Sequence, residues 1–140
     1  MNDLIAALGL APGGYPAFGD DGLAEVTMPV MLMGGTLDEY TRNDLRPTFD
    51  ALPRPRMRVE IEQMGHMGFT DICRLPINQL IPTLGDLCAP DAFIPVDRGF
   101  EIINAFATAF LRLEMFEDRR MLRWLSDEYA DGIPEATFSR

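Results

Sequence analysis

The sequence predicts an α/β fold built on parallel strand pairing, on three observations. Met28–Met33 is a continuous apolar run that breaks at Gly34-Gly35, and Arg56–Glu62 is a second strand-like segment with alternating character. Between them, a segment from about Asn43 to Leu52 has helical apolar spacing, as a crossover between parallel strands requires. Together they make one βαβ unit.

The elements follow in order from local chemistry. Leu4, Ile5 and Leu8 have helix-like spacing, so residues 1–10 read as a short helix that Pro12-Gly-Gly14 ends. Tyr15–Asp21 reads as turn-rich linker, with a small helix or ordered turn at Leu23–Val26. Pro29 opens the first strand, where a missing donor is tolerated. Val30, Met31, Leu32 and Met33 are all apolar, which predicts a strand covered on both faces.

In the crossover helix Leu45, Phe49 and Leu52 form the buried stripe, and Pro53 and Pro55 stop it. In the return strand Val59 and Ile61 share one face, with Arg58, Glu60 and Glu62 on a wet one. Glu60 and Glu62 then read as solvated charges, and the nine methionines as core filler. Prolines 76 and 82 limit residues 71–87 to a short helix and a loop.

A long helix follows from Arg98 to about Phe116, with Asp97 as its N-cap. Its polar positions Glu101, Asn104, Thr108 and Arg112 make one narrow stripe, and apolar residues fill the rest. Burying each such side chain stabilises by about 1.5–3 kcal/mol, so the helix demands a large partner surface. With only two convincing strands in view, that surface is expected to come from strands outside the chain. A second helix is predicted over Arg119–Tyr129, and Gly132 and Pro134 open a mobile polar tail. The organisation read from this pattern is a short helix and linker over 1–22, an α/β portion over 23–129 and a tail over 130–140.

Candidate chemistry lies at the carboxyl ends of the two strands, the rim where parallel sheets carry their functional loops. Asp38 follows the first strand in GGTLDEY, and His66, the only histidine, follows the second in MGHMGFTD between Gly65 and Gly68. One βαβ unit brings both to the same rim, where a carboxylate can hold an imidazole by its Nδ1 hydrogen.

The runs PVMLMGGTLDEY and VEIEQMGHMGFTDIC resemble the acid and histidine segments of α/β-hydrolases, and within them the dienelactone-hydrolase-like and platelet-activating-factor-acetylhydrolase-like group. Cys88–Phe93, Ile102–Phe110 and Arg120–Leu125 are similar to the C-terminal part of the same group, so the resemblance runs from about Phe18 to Leu125. It implies the C-terminal portion of an α/β-hydrolase fold with an incomplete sheet, Asp38 as triad acid and His66 as triad base. The implied substrate is a small carboxylic ester or lactone, with no cofactor. The family's GxSxG nucleophile is absent, and the two serines, Ser126 and Ser139, lie beyond the long helix. The chain is therefore expected to be inactive by itself. Two readings follow: a catalytic half whose nucleophile comes from a separate N-terminal half, or a non-catalytic remnant that folds by homodimerisation or by such association.

Cys73 is an alternative nucleophile, since a thiol near an Asp-supported histidine is chemically competent. Cys73 and Cys88 are otherwise either one disulfide or two buried thiols. One histidine and two thiols at this spacing match no recognised zinc ligand set. All twelve basic residues are arginine against 22 acidic ones, a net charge of -10, so the chain has no electrostatic footprint for nucleic acid or an anionic membrane. No apolar run reaches the length of a membrane span, and Met1-Asn-Asp-Leu lacks the basic start of a signal peptide. That start fits a cytoplasmic protein if Met1 is the true N-terminus, and an exported one if a signal lies upstream.

Overall fold

The computed structural model describes residues 4–75, 88 and 91–140. Its centre is a four-stranded sheet in the order β1 (Ala7–Leu10), β2 (Val30–Gly35), β3 (Arg56–Ile61) and β4 (Ala136–Ser139). The first three strands are parallel and β4 is antiparallel to β3. The helices are α1 (Tyr15–Ala24), α2 (Arg42–Ala51), α3 (Val96–Phe116) and α4 (Asp127–Asp131). Short 3-10 turns lie at His66–Phe69, Asp71–Arg74 and Arg119–Trp124.

β2 is buried along its whole length, and its alternation divides the core. Met31 and Met33 pack on one face with Val59, Ile61, Phe106 and Phe110 from β3 and α3. Val30 and Leu32 pack on the other with Leu23 of α1, Leu45 and Phe49 of α2, and Leu52 at the α2 C-cap. A strand apolar at every position is therefore covered on both faces, as its composition requires. β3 alternates instead: Met57, Val59 and Ile61 are buried, while Arg56, Arg58 and Glu60 are half-exposed.

Several sequence expectations are corrected. Residues 7–10 form a strand, because parallel pairing with β2 supplies the backbone partners that a short isolated helix lacks. Ala7 N–H donates to Pro29 O at 2.9 Å and Ala11 N–H to Met33 O at 2.7 Å. The predicted linker over Tyr15–Asp21 is the first part of α1, which Pro16 starts and Gly19, at φ 58°, kinks. The segment predicted as one helix from Arg119 is divided, because Ser126 caps a new helix: its Oγ accepts from Tyr129 N–H at 3.2 Å. The long helix starts at Val96 with Pro95 at its N-cap, so Asp97 lies in its first turn. Of the short helix and loop expected over residues 71–87, Asp71–Arg74 forms a 3-10 turn and residues 76–87 lie outside the described residues.

The tail is the largest correction. β4 pairs Phe138 with Val59, and Phe138 is buried with its ring stacked on Phe106 at 5.9 Å. The boundary placed at residue 130 thus falls inside α4. These C-terminal elements also cover α3, since Tyr129 meets the Phe106 ring edge-on at 5.5 Å. Part of the partner surface that α3 demands is therefore present in the chain, while Met115 and Phe116 at its C-terminal end stay exposed. The stripe Glu101, Asn104, Thr108 and Arg112 is exposed as predicted.

Candidate functional site

The carboxyl ends of β2 and β3 meet because glycine permits it. A Cβ on Gly35 would sit 2.0 Å from the Met64 carbonyl oxygen, an approach no side chain tolerates. Across this gap Thr36 N–H donates to Ile61 O at 3.0 Å and Leu37 N–H to Met64 O at 3.1 Å. Gln63 takes the left-handed turn at the end of β3, at φ 56°, and its own N–H donates to Thr36 Oγ1 at 2.9 Å. Gly65 and Gly68 serve space more than turning, as neither has a positive φ. A Cβ on Gly65 would meet the Phe93 ring at 2.8 Å, and one on Gly68 the Met64 side chain at 3.0 Å.

These loops bring Asp38 and His66 together. His66 Nδ1 lies 2.9 Å from Asp38 Oδ2, with the imidazole 29% exposed and the carboxylate fully buried. The geometry assigns the proton to Nδ1, since an ionised carboxylate only accepts. Asp38 receives three more hydrogen bonds. Tyr40 N–H and Thr41 N–H each donate to Oδ1 at 2.9 Å, and Thr41 Oγ1 donates to Oδ2 at 2.6 Å.

Burial pushes the Asp38 carboxyl up, but the Thr41 hydroxyl, the His66 ring and the two amides together outweigh it and hold the carboxyl below its usual range. The buried carboxylate therefore stays charged and can stabilise a positive imidazole. His66 Nε2 has no hydrogen-bond partner among the described residues, and the exposed Tyr40 ring meets the imidazole edge-on at 5.1 Å.

No family model matches this chain, and no curated protein sequence does. The site therefore stands on its geometry.

The remaining candidates are engaged otherwise. Cys73 and Cys88 are joined in a disulfide with their Cα atoms 5.4 Å apart, so Cys73 has no free thiolate to act as a nucleophile in this state. Ser126 is occupied as the α4 cap, its hydroxyl donating to Arg123 O at 2.9 Å. Ser139 lies on β4 opposite Arg58, which donates to its Oγ at 3.3 Å. Neither sits on a turn leading from a strand into a helix. Among the described residues no group of three or more His, Cys, Asp or Glu side chains is placed to hold a metal ion, and no helix is long and apolar enough to cross a membrane.

The sequence reading missed Thr41, Tyr40 and Gln63. Thr41 carries a readable signal: a hydroxyl three residues after a candidate acid, at the start of a predicted helix, is spaced to reach that acid.

Proposed function

We propose that this chain carries the acid and base of a serine-type ester or lactone hydrolase, with the nucleophile supplied from outside the chain. The observation that carries the reading is the buried, four-donor Asp38 carboxylate holding His66 by Nδ1, with Nε2 left for a reacting group. In this mechanism Nε2 takes the proton of an incoming hydroxyl as it attacks the ester carbonyl. Asp38 stabilises the imidazolium, which then protonates the departing alkoxide. Water repeats the sequence on the acyl intermediate. The resemblance of GGTLDEY and GHMGF to hydrolase acid and histidine segments supports the same roles.

The second reading, a chain without activity of its own that associates with a separate half or a second copy, is favoured by one surface. Among the described residues β1 is an edge strand, and Leu10 at its end and Leu4 and Ile5 before it are 41%, 69% and 61% exposed. An apolar edge of this kind is open to strand addition.

The test supplies the missing nucleophile as a small primary alcohol and measures acyl transfer from a short p-nitrophenyl ester. In water alone the rate should equal that of His66→Ala. With alcohol present, His66-dependent transfer should rise with alcohol concentration to about tenfold above the His66→Ala rate, a fraction of what a positioned general base gives. Transfer no faster than in His66→Ala contradicts the base role, and hydrolysis lost in Cys73→Ala as well as His66→Ala would move the nucleophile to Cys73.

A further inference from the structure

Thr41 occupies the N-cap of α2, yet its side chain makes no capping hydrogen bond. A threonine there ordinarily accepts from an amide in the first turn. Here the hydroxyl is turned to Asp38, donating to Oδ2 at 2.6 Å, the short range of a charge-assisted bond. Oδ2 is also the oxygen on His66 Nδ1, whereas both backbone donors hold Oδ1. The amides thus pin one oxygen, and rotation about the carboxylate's soft terminal torsion is checked at the other by Thr41.

The rotamer of Thr41 has its own constraint. A Cβ on Gly13, in the β1–α1 loop, would lie 2.8 Å from Thr41 Cγ2 and 3.6 Å from Thr41 Cβ. Gly13 is not in the left-handed region, so its backbone does not call for glycine; the space occupied by the threonine methyl does. Gly13 thus leaves room for the methyl in the rotamer that turns the hydroxyl to Asp38.

We propose that Thr41 is a positioning residue, accommodated by Gly13, whose hydroxyl orients Asp38 Oδ2 so that His66 holds its proton on Nδ1 and presents Nε2 to the reacting group. This rests on the Asp38–His66 reading above and adds the β1–α1 loop to the machinery.

The test is nitrogen NMR of the labelled imidazole, reading the Nδ1–H tautomer and the exchange lifetime of its proton. In the unaltered chain the Nδ1–H tautomer should dominate. Thr41→Val, which keeps the shape and removes the donor, should shorten the lifetime by about tenfold, the loss of one hydrogen bond, while Thr41→Ser stays within about twofold of the parent on the same ground. Gly13→Ala should reproduce the Val effect, and Gly13→Ala with Thr41→Ser should restore the parent lifetime, because serine keeps the hydroxyl and lacks the clashing methyl. A general loss of folding would not be repaired by that pairing. An unmoved lifetime in Thr41→Val, or a double variant as fast as Gly13→Ala, overturns the proposal. An Nδ1–H tautomer missing from the unaltered chain overturns the Asp38–His66 pairing itself, and the role of Thr41 with it.

Discussion

Asp38 and the two arginines of β3 are charges held near opposite ends of parallel strands, and they are held in opposite ways. Asp38, past the carboxyl end of β2, is fully buried with donors on both oxygens. Arg56 and Arg58, towards the amino end of β3, lie over the Phe49 ring at 4.6 and 5.2 Å, and both Nε atoms are buried without a partner. The arginines use their guanidinium planes and stems as cover for α2, a packing role in which imperfect hydrogen bonding is tolerated. The carboxylate has no such packing role, and its donors converge from three residues, one of them 28 positions away. Full satisfaction of the buried charge is what distinguishes the Asp38 end of the sheet from the arginine end.

The largest expected effect that separates the two ends is Asp38→Ala. It orphans two amides, a hydroxyl and the His66 ring, and should lower unfolding stability by about 3 kcal/mol in urea titration. A loss below about 1 kcal/mol would mean that solvent replaces the carboxylate and that the contrast is empty.

Acid acts on the Asp38 end in particular. The folded-state value of Asp38 is depressed, so its contribution to stability is complete above the ordinary carboxylate value and fades as pH falls through the depressed one. Unfolding curves between about pH 6 and pH 2 should therefore show a shallower acid loss in Asp38→Asn than in the parent. Parallel curves would contradict the depressed value. Arg58→Met should have the smallest effect, within about 1 kcal/mol of the parent, since a methionine covers Phe49 without burying an unpartnered Nε. A loss near that of Asp38→Ala would show that the arginine is held for its charge.

Much of the parallel framework is legible in the sequence. Met28–Met33 has one physical solution, a central strand covered on both faces, and the Arg56–Glu62 alternation fixes which face of β3 is buried. Both strands end where they must for Asp38 and His66 to meet. The short edge elements are not legible, because four-residue strands carry little pattern of their own: β1 and β4 exist through pairing with β2 and β3. Missing β4 also sent the demand of α3 to strands outside the chain, when Phe138 and Tyr129 meet part of it. At the site the meeting of Asp38 and His66 is visible from strand ends, whereas the contacts of Thr41 and Gly13 depend on a side-chain rotamer and a close approach, which spacing alone does not fix.

The most direct test of the central claim is the position at which a small haloacetamide alkylates His66, read by fragmentation and NMR of the modified residue. With Nδ1 held on a buried carboxylate, modification should fall on Nε2 alone, and Asp38→Asn should admit modification at Nδ1. Alkylation at Nδ1 in the unaltered chain would mean that Asp38 does not hold that nitrogen, and the acid and base roles assigned to the pair would fall with it.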